Sequence, residues 1–154
     1  MLVLLYPGTV QANDYFDVTG YVQIGTPESG PVTYPELQMT TFKLGEQLDT
    51  QTTQPNNDGA FSFTNVIGGN GFGYIISAEY ADVIYTYESD FPISEDPVKL
   101  LIFEKVNDSG SVNVISHSMI VSMENFDSRI LNIIELVEIE NSGNATFVPD
   151  LTQP

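Results

Sequence analysis

Few residues of this chain have types and spacing that could do chemistry. The one histidine, His117, lies between Ser116 and Ser118, and serine with histidine is a pair that acyl-transfer enzymes use. Such a pair must face one another, with a carboxylate orienting the imidazole, whereas neighbouring residues of a strand point to opposite faces. We therefore interpret His117 as a structural histidine. The chain has no cysteine, which excludes thiolate nucleophiles and cysteine-based metal sites.

Three carboxylates near the C-terminus, Glu135, Glu138 and Glu140, could in principle perform the acid-base chemistry of a glycosidase. Acidic residues are abundant throughout, with 21 Asp and Glu against four Lys and Arg and a net charge of −17. We therefore interpret these three as part of a solvated face. The same charge repels phosphate backbones and anionic lipid, which argues against nucleic-acid binding and polybasic membrane binding.

The stretch "NNDGAFSFTNV" (56–66) offers two interpretations. Asn56, Asn57 and Asp58, with Asp49, carry the oxygen ligands that calcium requires, and we note Asp49, Asn57 and Asp58 as calcium candidates. The favoured interpretation is a structural turn, because Asp58 tolerates and Gly59 readily adopts the left-handed conformation of a tight hairpin. The segment lacks the alternating acidic residues and final glutamate of an EF-hand loop.

After this turn, Phe61 and Phe63 are two residues apart, so both rings point to one face of a strand. We predict that this face is core. Four tyrosines further on, Tyr74, Tyr80, Tyr85 and Tyr87, could stack on sugar rings. Alternating tyrosines in a hairpin are more typical of cross-strand pairs.

Apolar residues mostly alternate with polar ones, which predicts strands rather than helices. The predicted strands cover 17–24, 36–44, 60–66, 71–80, 82–89, 97–105 and 113–123, with a hairpin turn at Ala81 and Asp82. Residues 45–57 are rich in Gln and Thr and predict a polar link. Residues 127–143 also fit helical spacing, but their many Ile and Val side chains favour a strand.

The residues Thr52, Thr53, Asp58, Gly59, Phe61, Phe63, Asn65 and Val66 follow a first strand, "VTGYVQIGTP" (18–27). With the later tyrosine-rich hairpin, this pattern resembles the carboxypeptidase regulatory-like domain, a transthyretin-like (prealbumin-like) β-sandwich. The resemblance spans about residues 14–150. It implies an all-β, Ig-like or prealbumin-like sandwich at 14–106 and additional strands of a second β module at 107–154. It implies no catalytic residues, and it implies that the second module is cut short and the chain is one piece of a larger protein.

Residues 1–13 form the first of three predicted regions. Leu2, Val3, Leu4, Leu5 and Tyr6 are an apolar run, and Val10-Gln11-Ala12 fits the pattern before a signal-peptidase cut. The segment is either an export-signal remnant or an apolar arm that packs against a neighbouring subunit. The export interpretation predicts an extracytoplasmic location: secreted, periplasmic or on the cell surface.

Together these patterns predict a non-enzymatic structural or assembly module of a bacterial cell-envelope or extracellular protein, complex or filament, with no cofactor. Its expected partners are other protein subunits or neighbouring domains, including further copies in a homo-oligomer or filament. The alternative is an adhesion module that binds carbohydrate or calcium. Buried tyrosine rings would argue against the sugar, and burial of the N-terminal arm against other chains would argue for assembly.

Overall fold

The computed structural model describes residues 14–27, 33–125 and 130–150, and these residues contain strands and no helix. The all-β prediction is confirmed. The strands are β1 (Asp14–Ile24), β2 (Leu37–Lys43), β3 (Glu46–Thr53), β4 (Ala60–Gly68), β5 (Phe72–Tyr80), β6 (Val83–Asp90), β7 (Val98–Ile102), β8 (Lys105–Val106), β9 (Val112–Asn125), β10 (Ile130–Asn141) and β11 (Thr146–Phe147).

The described residues form two compact units. The first contains residues 14–23 and 33–102, and the second contains residues 24–27, 103–125 and 130–150. The second unit is therefore built from two separate pieces of the chain. The chain passes from the first unit to the second between Gln23 and Ile24, and again between Ile102 and Phe103.

The first unit contains a three-stranded sheet of order β4-β1-β7 and a four-stranded sheet of order β3-β2-β5-β6. In each sheet the strands β2, β5 and β7 bury one side, as the alternation of apolar residues predicts. The buried apolar side chains are Val18, Val22, Leu37, Met39, Phe61, Phe63, Val66, Phe72, Tyr74, Ile76, Ala78, Val98, Leu100 and Ile102. Two sheets with buried inner faces make this unit a β-sandwich.

Phe61 and Phe63 are 6% and 2% exposed, so the prediction that they belong to the core is confirmed. Their rings meet edge to face, with centroids 5.8 Å apart. This is a geometry that the quadrupoles of two aromatic rings favour. The pair fixes how β4 packs in the sandwich.

The turn before β4 differs from the predicted hairpin. β3 pairs with β2 whereas β4 pairs with β1, so residues 54–59 carry the chain from one sheet to the other. Gly59 adopts a φ of +80°, as expected of a glycine in a turn. The Asn56 side chain accepts hydrogen bonds from the backbone N–H groups of Asp58 and Ala60, each 2.9 Å long. The sequence predicts the local turn chemistry and the strand that follows the turn, but not the strand before it or the pairing of β4 with β1.

The predicted polar link at 45–57 is wrong, because residues 46–53 form β3. β3 is an edge strand, and six of its eight residues are exposed, so it needs no apolar alternation. Its Gln and Thr side chains give no hydrophobic signal. Backbone pairing with β2 over seven residue pairs, from Leu37–Thr53 to Lys43–Glu46, holds it in the sheet.

Two other predictions about strands are confirmed. The β5–β6 hairpin turns at Ala81 and Asp82, with φ of 52° and 62°. Residues 130–141, where helical spacing competed with β propensity, form β10. Because β10 pairs with β9 along its whole length, its Ile and Val side chains belong to a ladder.

The second unit contains the antiparallel β9–β10 hairpin and a short parallel pair, β8–β11. The Thr26 hydroxyl joins its two pieces of chain. It donates a 2.8 Å hydrogen bond to the Asn144 carbonyl and accepts one of 2.9 Å from the Glu104 N–H.

Candidate interaction surface

The β9–β10 hairpin is the feature of the described residues that most needs a functional explanation. β9 has 14 residues and β10 has 12, and their ladder runs from Val112–Asn141 to Asn125–Ile130. The register shifts between Glu138 and Ile139 and between Ile130 and Leu131. Between these irregularities, residues 116–123 pair regularly with residues 131–138, so the two faces of the hairpin can be assigned.

One face is mainly apolar. Directly opposed residues share a face, and alternate pairs belong to the same face. Because β10 continues without interruption past Val137, Ile139 and its partner Val114 stay on this side. We define the apolar face as Val114, His117, Met119, Val121, Met123, Leu131, Ile133, Glu135, Val137 and Ile139.

The opposite face is more polar. We define the serine face as Ser116, Ser118, Ile120, Ser122, Asn132, Ile134, Leu136 and Glu138. Three of these eight residues are apolar, compared with eight of ten on the apolar face. The hairpin is therefore amphipathic.

All eight apolar side chains of the apolar face are between 46% and 63% exposed. Among the described residues, β9 and β10 pair only with each other, so each strand also presents an unpaired backbone edge. An isolated two-stranded hairpin is marginally stable in water, and exposed apolar patches usually mark interaction sites. This hairpin therefore has both the exposed apolar side chains and the unpaired backbone edges that are typical of an interaction surface.

One polar pair lies within the apolar face. His117 Nε2 lies 2.6 Å from Glu135 Oε1, and the two side chains are 54% and 56% exposed. Ser116 and Ser118 lie on the other face, as the alternation predicts, so neither forms a serine-histidine pair with His117. Sequence reasoning missed the Glu135 partner because it depends on the register of the ladder. Glu138 and Glu140 are exposed, as expected of solvated carboxylates.

The calcium candidates fall on two different elements. Asp49 lies in β3, where it accepts a hydrogen bond from the Gln51 side chain, while Asn57 and Asp58 lie in the turn before β4. The Asn56 oxygen already serves two backbone N–H groups of that turn. In the part of the chain that the structure describes, no three His, Asp or Glu side chains form a group that could hold a metal ion.

The four tyrosines do not form an exposed platform. Tyr74 is 1% exposed, and its hydroxyl donates a 3.0 Å hydrogen bond to the Ile67 carbonyl. Burial raises the pKa of Tyr74 to about 12. Tyr85 and Tyr87 oppose Ala78 and Ile76, which places them on the core side of the sheet, half-buried. Flat stacking of a sugar ring needs exposed aromatic faces, which these positions do not provide.

One cavity of the first unit, of about 250 Å³, is lined by Phe16, Asp17, Val18, Thr19, Phe91, Pro92, Ile93, Glu95, Asp96 and Val98. Its carboxylates have partners: Asp17 accepts from the Asn65 N–H at 3.1 Å, and Glu95 lies 3.8 Å from Lys99 Nζ. The lining includes neither a histidine nor a serine. Its one hydroxyl group, that of Thr19, donates a 3.5 Å hydrogen bond to Asp96 Oδ1.

The predicted assembly arm, Leu2 to Tyr6, lies outside the described residues. Within them, no helix is long and apolar enough to cross a membrane.

Comparison of the chain with protein-family models, curated proteins and solved structures finds no match.

Proposed function

We propose that this chain is a non-enzymatic assembly module of an extracytoplasmic protein complex, and that its β9–β10 hairpin is the contact element. The observation that carries this proposal is the exposure of eight apolar side chains on one face of a two-stranded hairpin. A sandwich with a well-filled core has no structural need of such a surface. A partner that covers the hairpin would explain why the exposed apolar surface exists.

The energetics favour a covered hairpin. Burying an exposed aliphatic side chain contributes about 1.5–3 kcal/mol, and these side chains are about half exposed. Covering all eight would contribute on the order of 8 kcal/mol, which is comparable to the cost of association. Backbone pairing at the free edges would add to this. The apolar face alone therefore supports a weak contact, and a stable one if the edges take part.

Methionine oxidation tests this function with an internal control. Met119 and Met123, on the apolar face, are 59% and 46% exposed, whereas Met39 in the core is 0% exposed. In the dilute purified chain, peroxide should oxidise Met119 and Met123 and spare Met39. In intact cells that make the protein, Met119 and Met123 should be protected. Equal oxidation in both settings would contradict the proposal, because the hairpin would then be uncovered where the protein works.

We further propose that the sandwich is a carboxypeptidase regulatory-like domain of the transthyretin-like type. The turn ending at Gly59 and the buried Phe61 and Phe63 support this, since they are the residues that carry the resemblance. An experimental structure with a different strand order from that family would contradict it.

The extracytoplasmic location rests on the sequence of residues 1–12. It predicts that the mature protein begins at Asn13, after the cut that follows Val10-Gln11-Ala12. Mass spectrometry of the protein isolated from its own cells measures this. A mature protein that retains residues 1–12 would instead favour the packing arm.

A further inference from the structure

The order of residues along the apolar face contains information about its partner. From the base of the hairpin to its tip, the five pairs are Val114–Ile139, His117–Val137, Met119–Glu135, Val121–Ile133 and Met123–Leu131. Glu135 is thus in the central pair, and His117 is in the adjacent pair on the other strand. Apolar pairs lie on both sides of this polar centre.

We propose, on the basis of the assembly function above, that the apolar face packs against the apolar face of a second copy of this chain. The two hairpins would run antiparallel around a two-fold axis near the His117 and Glu135 pairs. This symmetry stacks β9 on β9 and β10 on β10, so each His117 would lie diagonally across from Glu135 of the other copy, and the apolar base of one hairpin would cover the apolar tip of the other.

Charge complementarity is the argument for a second copy. A two-fold contact brings the same patch from both chains together, so the patch must complement itself. The apolar face meets this condition, because the His117 imidazole and the Glu135 carboxylate, which carry opposite charges once the imidazole is protonated, lie next to each other at its centre. A surface made for an acidic or a basic partner would carry one sign of charge. A membrane is a poor occupant, because the chain has a net charge of −17 and Glu135 lies at the centre of the face.

The other carboxylates of the hairpin permit this arrangement. Glu138 is on the serine face and Glu140 follows on the same side by alternation, so both stay in water when the apolar faces meet. The remaining negative charges of two copies repel at long range, and salt screens such repulsion. Ten residues a side is also fewer than the 20–30 of a standard interface. The dimer is therefore weak, and added salt strengthens it.

Charge-swapped variants test the proposal by sedimentation equilibrium. His117→Glu places two carboxylates on the face, and His117→Lys with Glu135→Lys places two ammonium groups there. Each variant alone should be monomeric at concentrations where the wild type dimerises, because like charges would meet. An equal mixture should recover the dimer, since each carboxylate then meets an ammonium group. Ser118→Glu adds a carboxylate to the serine face and should dimerise like the wild type.

Recovery in the mixture also shows that both variants fold, because a misfolded hairpin could not be rescued by a second variant. A mixture that stays monomeric would overturn the proposal. So would a wild-type chain that stays monomeric up to about 1 mM, the weakest affinity worth considering. If Met119 and Met123 are nevertheless protected in cells, a different protein covers the hairpin, and the assembly function survives without the second copy.

Discussion

The backbone N–H of Val22 donates a 2.9 Å hydrogen bond to the carbonyl oxygen of Gly59. This bond joins β1 to the turn that carries the chain from one sheet to the other. A Cβ at position 59 would lie 2.5 Å from the Val22 carbonyl oxygen and 3.0 Å from the Tyr34 ring. Both the close approach and the φ of +80° therefore require glycine here.

Gly59→Ala should destabilise the first unit by about 3 kcal/mol. The left-handed backbone costs a residue with a Cβ about 1–2 kcal/mol, and relieving the contact with Val22 adds to that. Urea unfolding followed by far-UV circular dichroism measures the change. Gly45→Ala is the matched control, because Gly45 has a similar φ of +86° but no atom within 4 Å of the added Cβ. Equal losses in the two variants would show that the close approach contributes nothing.

The turn of the β5–β6 hairpin contains a residue whose substitution should increase the stability of the protein. Ala81 has a φ of 52°, a conformation that alanine adopts at a cost and asparagine tolerates well. Ala81→Asn should therefore raise the free energy of unfolding by about 0.5–1 kcal/mol. Ala60→Asn, in the extended backbone of β4, is the control and should bring no gain. Loss of stability in Ala81→Asn would contradict this account of the turn.

Tyr74 should make the first unit less stable in alkali. Its pKa is raised to about 12 by burial, whereas an unfolded tyrosine ionises near 10. Below about pH 10 the Tyr74 hydroxyl is neutral in both the folded and the unfolded chain, so its full contribution to stability is present. As the pH rises from about 10 to about 12, the unfolded chain loses a proton that the folded chain keeps, so the free energy of unfolding falls.

Tyr74→Phe removes this titration, so its stability should fall less between about pH 9 and about pH 11 than that of the wild type. The variant should be less stable by about 1 kcal/mol at about pH 9, because the Ile67 carbonyl loses its hydrogen bond. Urea unfolding at both pH values measures the two effects. Identical pH dependence in the two proteins would show that Tyr74 is not the group responsible.

The hairpin should also differ from the sandwich in hydrogen exchange. β5 lies between β2 and β6, whereas β9 has β10 as its one partner among the described residues. In dilute solution the amides of β9 should exchange much faster than those of β5, because a two-stranded ladder opens easily. Mass spectrometry after short labelling times measures this. Equal protection at the lowest concentrations would show that the hairpin is stable without a partner.

The sequence predicts the parts of the fold in which one side of a strand is buried. Phe61 and Phe63, or Leu37 and Met39, reveal their strands because their spacing of two matches the pleat. β3 gives no such signal, since an edge strand with both faces wet can consist of Gln and Thr. Turn residues likewise reveal that the chain turns, as at Gly59, but not which strands will pair.

The candidate surface was harder to foresee. Val121 and Ile133 have the composition of core residues, and a single sequence does not reveal that the structure leaves them more than half exposed. The His117–Glu135 pair depends on a register with two irregularities, near Ile115 and Glu124, that no local pattern indicates. His117 and Glu135 are 18 positions apart along the chain, and the pairing of β9 with β10 brings them together.

The Thr26 hydroxyl has a consequence for biosynthesis. Its two hydrogen bonds connect Thr26 to Glu104, which lies 78 positions further along the chain, and to Asn144, which lies 118 positions further. Ribosomes release a protein from its N-terminus onward, so Thr26 emerges long before Glu104 and Asn144 exist. The second unit therefore closes only after Asn144 has been synthesised. The sandwich that emerges in between has the opportunity to fold first.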